Sequence, residues 1–306
     1  MSQLSRRNCC ALLASLAVAA PGRAQSLLPL DLHRLSRKFF AVAGDGANML
    51  ATYGSEGIVL VDNGLAEQGP RLAATLQERI AQFPIRMVIN THWHYDHVGG
   101  NEALGAAGTE IVAHANTKRR LAQRTTIEFL QRTFEPLKPT GLPHKTFTKP
   151  RRMEFGKMVM EIEPLPPAHT DGDVFVFFPN ENILHTGDVL SEGSYPTIDY
   201  STGGWIGGMA AASTRLLKVA DANTKIVPGH GKVCTRAELA ASHQMLSTVA
   251  DRLQTLAARG TPVEEVVANR PTRDFDETWG KGLAPELFTR MAYESILRRA
   301  SDRPHR

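Results

Sequence analysis

Residues 89–101 read INTHWHYDHVGGN, which places His92, His94, Asp96 and His97 within one short segment. Imidazole and carboxylate at this density are the donors of a metal site. Neutral histidine nitrogens and carboxylate oxygens bind a zinc-type cation at ~2.0–2.3 Å, and a catalytic site keeps one position open for water. On extended chain, side chains two apart point the same way, so His92 and His94 converge on one point. Asp96 and His97 are adjacent and diverge, which lets them address a second point nearby. Gly99 and Gly100 then permit a tight turn or a close backbone approach. The competing reading is an incidental polar turn.

One strand end cannot complete a coordination shell, so further donors must come from elsewhere. PPAHTDGD offers His169, LHTGDVL offers Asp188 and IVPGHG offers His230, each beside a Gly or Pro that marks a sharp turn. Side chains that carry function commonly sit on such turns above a rigid sheet. A lone histidine is more often structural than ligating; here the combination reverses that weighting.

Positioning these residues requires strands that end together. The apolar runs FFAVAG (39–44), NMLATYG (48–54), GIVLVDNG (57–64), RMVIN (86–90), EIVAH (110–114), VFVFF (174–178) and KIVPGH (225–230) predict strands. Each is bounded by Gly, Pro, Asn or charge. Helical spacing of apolar positions covers 66–82 and 206–220. A long amphipathic stretch at 235–259 opens on Thr235 with Glu238 three positions on, a capping box. Another helix is expected from Pro285, a residue suited to the first helical turn. Early strands followed by strand–helix alternation predict an α/β layered protein with helices outside. Residues 123–150 hold Pro136, Pro139, Pro143 and Pro150. They read either as a long functional loop or lid, or as a surface excursion.

The ordered set H-x-H-x-D-H, a distant His before Thr, the Asp of TGD and PGHG resembles the metallo-β-lactamase superfamily. The similarity runs from about Ala41 to about Gly231. The fold it implies is α/β, an αββα four-layer sandwich, in agreement with the element order. By the same resemblance His92, His94 and His169 hold a first metal, Asp96, His97 and His230 a second, and Asp188 bridges both. This is the arrangement of glyoxalase II and lactonase-like members. Dizinc β-lactamases with an Asp–Cys–His second site carry a cysteine near the Asp188 position, while another lactamase subclass lacks it. HTDGDVFVFF after the third donor is also similar to lactamases, so a class B-like β-lactamase stays open.

The implied chemistry follows from charge. Two divalent cations bring four positive charges; Asp96 and Asp188 offset two, and a bridging hydroxide offsets one more. Such a centre lowers the pKa of bound water toward ~7 and stabilises the oxyanion formed at a carbonyl. The expected function is hydrolysis of an activated carbonyl in a small-molecule lactone, β-lactam or thioester. Asp96 is the catalytic candidate, as a group able to orient the hydroxide. Zinc, two per chain, is the leading cofactor; with only nitrogen and oxygen donors, iron or manganese also fits. A mononuclear iron persulfide dioxygenase is the alternative from another reaction class. Diiron oxidoreductase relatives replace the second histidine of the motif with glutamate, whereas His94 is present. A non-catalytic binding module ranks last, because degenerate relatives lose donors and all seven are here.

Composition is consistent with a folded enzyme. The 306 residues are 42% apolar and 22% charged, enough to bury a core and too apolar for disorder by default. A net charge of +4, partly in Arg6 and Arg7, gives no argument for nucleic acid, and there is no basic run interleaved with aromatics. SRRNCCALLASLAVAAPGRAQ has the order of an export signal: an arginine pair resembling a twin-arginine signal, an apolar stretch, then small residues. The apolar stretch is shorter than the ~20 residues of a bilayer span. Cleavage after Ala20 or Ala24 fits, giving a leader at 1–24 and one domain at 25–306 with C-terminal helices from about 235. The expected location is periplasmic or secreted, with no stable membrane anchor after cleavage. Cys234 would then be the only cysteine left, a buried residue or a free thiol near the metals, so no internal disulfide forms.

Substrate contacts are less legible. SEGSYPTIDYSTGGW (191–205) follows Asp188, so Tyr195, Asp199, Tyr200 and Trp205 either line a pocket or anchor the loop. His114 reads as structural, and His185 as a hydrogen-bonding neighbour of the site or a core residue. His33, His144, His243 and His305 have no motif around them.

Overall fold

Consecutive side chains along the early strands enter different cores. Phe39 and Ala41 pack into one cluster and Phe40 and Val42 into another; Val59 and Val61 separate from Ile58 and Leu60 in the same way. A strand buried on both faces must be apolar at every position, which is why these segments are continuous apolar runs. The computed structural model describes residues 29–301, so residues 1–24, expected from the sequence to be a leader, lie outside the described residues with Cys9 and Cys10.

Among the described residues the first sheet begins as a meander of β1 (Asp31–Arg34), β2 (Phe39–Ala43), β3 (Met49–Gly54) and β4 (Gly57–Val61). It continues with β5 (Ile85–Asn90) and β6 (Glu110–His114), both parallel to β4. The chain then forms a separate hairpin of β7 (Thr125–Ile127) and β8 (Arg132–Phe134) and returns as β9 (Lys145–Phe147) beside β6. The second sheet holds β10 (Arg151–Phe155), β11 (Met158–Pro164), β12 (Val174–Phe178), β13 (Ile183–His185) and β14 (Lys225–Val227). Its strands pair antiparallel except β13 with β14.

Four layers result. Between the sheets, Leu50, Val59 and Ile89 of the first meet Ile162, Val176 and Ile183 of the second. Outside the first sheet lie α1 (Gly69–Arg79) and α3 (Asn101–Ala106), through Leu72, Leu76 and Leu104. Short α2 (Tyr95–Val98) precedes α3, and α4 (Ala115–Leu121) follows β6. Outside the second sheet, Phe175, Leu184 and Ile226 pack against α5 (Ile206–Val219), α6 (Arg236–Ala258) and α9 (Pro285–Ser301). Two small helices, α7 (Val263–Ala268) and α8 (Asp276–Trp279), connect α6 to α9. Each large aliphatic side chain buried in these layers contributes about 1.5–3 kcal/mol. The αββα arrangement expected from the sequence is the arrangement observed.

The capping box is present: Thr235 accepts from the Ala237 amide at 3.2 Å, and Glu238 accepts from the Thr235 amide at 2.8 Å. Residues 123–150 differ from the expectation of a long irregular loop, for they contain β7, β8 and β9. Pro136, Pro139 and Pro143 fall between β8 and β9 and Pro150 between β9 and β10, where a missing amide donor costs no ladder bond.

For the site, strand direction matters most. Parallel pairing puts the C-terminal ends of β4 and β5 at one edge of the first sheet. In the second, β11 runs the same way as β13 and β14, since both β11 and β13 are antiparallel to β12. Turns leaving these ends meet at one rim, where ligands of layered α/β proteins bind.

Candidate metal centre

All seven donors named from the sequence converge on that rim. Donor atoms of His92, His94, His169 and Asp188 lie within 4.8 Å of one another, and so do those of Asp96, His97 and His230. Asp188 faces both groups: Oδ1 lies 3.0 Å from His97 Nε2, and Oδ2 lies 3.2 Å from His230 Nε2 and 3.5 Å from His169 Nε2. His94 Nδ1 and His169 Nε2 approach to 2.8 Å.

Four of the five imidazoles are turned by a partner on the far nitrogen. His94 Nε2 donates to Asp199 Oδ2 at 3.0 Å, and His169 Nδ1 donates to the Thr197 carbonyl at 2.9 Å. His97 Nδ1 donates to Asp62 Oδ2 at 2.7 Å, and His92 Nδ1 sits 3.1 Å from Thr91 Oγ1. On a neutral imidazole such a partner fixes the tautomer and leaves the inward nitrogen as a lone pair for a cation. Asp62 is fully buried with a φ of 60°, and it also accepts from the Thr91 amide and hydroxyl at 2.8 and 2.7 Å. Those bonds hold a left-handed conformation that is costly for a non-glycine residue.

The turns themselves are clamped. Asn63, Asn90 and Asn101 form a buried amide cluster with contacts of 2.6–3.1 Å, and Asn63 Oδ1 accepts from the Gly100 amide at 2.7 Å. Gly99 is required by closeness: a Cβ there would lie 2.2 Å from the Ala66 nitrogen. In the PGHG turn, a Cβ on Gly229 would lie 1.9 Å from Asp188 Oδ1. Asn48, just before β3, donates to the Pro228 and Gly231 carbonyls at 3.0 and 2.8 Å, so the first sheet grips the turn that carries His230. Asp173 closes the His169 turn by accepting from the Thr170 amide and hydroxyl at 2.9 and 2.6 Å.

The fit to a cation rests on unsatisfied atoms. His92 Nε2, His97 Nε2 and Asp188 Oδ1 are buried without a hydrogen-bond partner among the described residues. The His97 and Asp188 atoms are close but not aligned to bond. Buried polar atoms are nearly always paired, and three orphans aimed at one space are what a bound cation would satisfy. Burial, followed by His97 and His169, holds His92 well below the usual imidazole range. Burial and His94 lower His169 to about 4. Burial also opposes charge on His97, but Asp188, Asp62 and Asp96 outweigh it and raise the imidazole well above its ordinary value. His230 is raised, chiefly by Asp188. Asp188 itself is pushed up by burial and pulled further down by His230 and His97, so it stays ionised. In the first group His92 and His169 thus favour the neutral form, and the second group collects positive charge around a carboxylate. The centre opens on the second group, where the His230 side chain is 38% exposed and Asp96 15%.

Other sequence candidates fall elsewhere. Tyr195 packs in the core: it is buried, stacks on Phe288 at 4.5 Å and donates to Asp276 at 2.9 Å. Trp205 is an anchor, its amide bonded to the Ala168 carbonyl at 2.8 Å and its ring under Arg299. Tyr200 lines a groove of about 420 Å³ against α9 that shares no residue with the seven donors. Asp199, grouped with these aromatics in the sequence, instead orients His94. His114 caps α4 by accepting from the Asn116 amide. His185 is buried; it donates to the Asn48 carbonyl at 3.3 Å and accepts from the Gly187 amide at 3.2 Å, tying both turns together. Cys234 is buried, and burial raises its thiol to about 12. Asp62 carried no signal beyond an acidic residue ending an apolar run.

Comparisons with known proteins agree with this geometry. The metallo-beta-lactamase superfamily model matches residues 43–230. A hydroxyacylglutathione hydrolase from Rhodospirillum rubrum is 29% identical over 247 residues, 79% of this chain and 80% of the relative. A metallo-beta-lactamase type 2 from Bacillus cereus is 26% identical, over 65% of this chain and 72% of the relative. Among solved structures, a metallo-beta-lactamase from Pontibacter korlensis superposes with a TM-score of 0.59 at 23% identity, covering 72% of this chain and 99% of that one. An inverting sec-alkylsulfatase from Pseudomonas sp. gives 0.68 at 17% identity, covering 90% of this chain and 52% of that one. At those identities the structures speak to the fold alone. The family match spans more than half of the chain and takes in all seven donors: the protein belongs to the metallo-β-lactamase superfamily and is a metallo-hydrolase.

Proposed function

We propose that this chain hydrolyses an activated carbonyl, in a thioester, lactone or β-lactam of small size, with two zinc ions as cofactor. The observation that carries the reading is the pair of adjacent donor groups sharing Asp188, with no thiolate among them. His92, His94, His169 and Asp188 would hold one cation, and Asp96, His97, His230 and Asp188 the other. When bound, such a pair supplies water of lowered pKa and a Lewis acid for the carbonyl oxygen. Asp96, at the open edge with Oδ2 3.5 Å from His230 Nε2, orients the attacking water and takes up its proton. Buried His92, His94 and His169 exclude bulk water from the other side. The hydroxyacylglutathione hydrolase relative favours a thioester, and the lactamase relative keeps β-lactams in the panel.

Metal analysis joined to a substrate panel tests this reading. Purified protein is expected to carry close to two zinc ions and to hydrolyse at least one thioester, lactone or nitrocefin-type lactam. Chelation or His94→Ala should abolish that activity. One iron per chain with oxygen consumption on a persulfide would replace the hydrolase by a dioxygenase. We also propose export through the arginine-pair leader, on the charge and apolar order of residues 1–24.

A further inference from the structure

The 123–150 excursion builds a cavity beside the centre. Its volume is about 950 Å³, and its walls include Leu65, Trp93, Tyr95, Arg132, Phe134 and Leu137. Trp93 and Tyr95 alternate with His92, His94 and Asp96, so the metal-binding turn presents its donors on one side and this cavity on the other. None of the seven donors lines it. One wall residue nonetheless lies beside a donor. A Cβ on Gly46 would touch both Leu65 Cγ, at 3.1 Å, and Asp96 Cβ, at 3.3 Å, so wall and donor converge there.

Inside, flat surfaces dominate. Tyr95 and Phe134 stack at 5.1 Å with 15° between the rings, and the Arg132 guanidinium lies 4.8 and 4.7 Å from their centroids. Arg120, Lys138 and Glu135 are spent on Asp171, Glu102 and Arg124 at 2.8, 3.1 and 3.2 Å. Arg132 has no carboxylate partner among the described residues. Glu67 is a further charged wall residue, on the turn before α1 rather than on the hairpin. A stacked guanidinium keeps its N–H edge free for a planar anion, and carboxylate matches that fork in two-point contact.

We propose that this cavity is the substrate's specificity pocket, taking a flat apolar arm that ends in a carboxylate bound by Arg132. The inference rests on the hydrolase reading above and names its substrate class: an acyl compound whose carbonyl sits at Asp96 and His230 and whose acidic arm runs along Tyr95 and Phe134. The hairpin that looked like a lid in sequence is then a fixed wall.

The test uses the metal-loaded full chain and a matched pair of aryl-bearing thioesters that differ only in a distal carboxylate or its carboxamide. Wild type is expected to prefer the carboxylate at least tenfold in kcat/KM. Arg132→Gln should bring that ratio close to one, with the change in KM of the carboxylate member, at unaltered metal content. Ala106→Phe, which adds bulk at the cavity wall without altering charge, should raise KM for both members. A preference that survives Arg132→Gln, or KM values untouched by Ala106→Phe, overturns the assignment. If fully loaded wild type hydrolyses neither thioester nor any of the wider panel, the hydrolase reading fails separately. Calorimetry with 4-phenylbutanoate then still decides the pocket: tenfold weaker binding to Arg132→Gln supports it, and equal binding overturns it.

Discussion

Asp199 works at the scale of one side chain. Its carboxylate is buried and accepts from His94 Nε2 at 3.0 Å, Thr202 Oγ1 at 2.5 Å and the Ser201 amide at 3.1 Å. Burial raises its pKa, but the His94 contact overrides this and holds the group below the usual range, so it acts as a fixed anion. The anion keeps the His94 proton on Nε2 and frees Nδ1. Asp199→Asn keeps the shape and weakens the acceptor, so metal affinity should fall by about 10–100-fold, the usual cost of losing such a partner. Competition against a calibrated chelator reads this; unchanged affinity would refute the orienting role. Cys234 gives a second residue-scale outcome. With its thiol raised to about 12 and 7% exposed, it should resist a disulfide reagent at pH 8 and react fully once the protein is unfolded. Rapid labelling of the native protein would place the thiol at the surface.

Elements show what a turn costs to hold. The turn that carries four donors is pinned by Asn63, Asn90 and Asn101, whose amides satisfy one another out of water. Asn101→Ala strands the other two, and each buried polar group left unpaired costs about 1–3 kcal/mol. A lower denaturation midpoint together with weaker metal binding is expected; loss of stability alone would uncouple the cluster from the site. These amide pairs also mark where sequence stopped being informative. The strand at 174–178 was readable to the residue because every position is apolar and nearly all are buried, and 110–114 because its central Ile111, Val112 and Ala113 are apolar and buried. The β10–β11 hairpin was not anticipated, since RRMEFGKMVMEIEP mixes charge with apolar residues and β10 is an edge strand. Residues 123–150 misled through their prolines, three of which sit between β8 and β9, strands only three residues long. All seven donors were legible as type and spacing. Asp62 and Asp199 were not legible as orienting groups, because their pairing spans 35 and 105 positions and exists only once the sheets are docked.

At the scale of the whole molecule, the proposed leader and the proposed metals would make separate demands. If residues 1–24 direct export of a folded, metal-loaded chain, then Arg6→Lys with Arg7→Lys should leave the precursor in the cytoplasm, as cell fractionation would show; export unchanged by both substitutions would remove the twin-arginine reading. The metals act on the sandwich itself. His92, His94, Asp96 and His97 leave the first sheet, whereas His169, Asp188 and His230 leave the second. A cation bound by both sets is therefore a cross-link between two layers otherwise joined by apolar packing and by bonds such as Val174 N to Thr91 O at 2.9 Å. Neither half offers a complete shell alone, so binding energy is released only in the docked state and adds to folding stability. One cation at a hundredfold its Kd contributes about 2.7 kcal/mol. At about 2–4 °C per kcal/mol for a large domain, stripping the metals should lower Tm by roughly 5–10 °C or more. Without them, Asp188 keeps His97 and His230 as counter-charges, so the stripped chain should still fold. Calorimetry of loaded and chelated protein, with metal content measured on each, decides it. Equal Tm values in samples that differ by two metals would mean that one sheet binds them without the other.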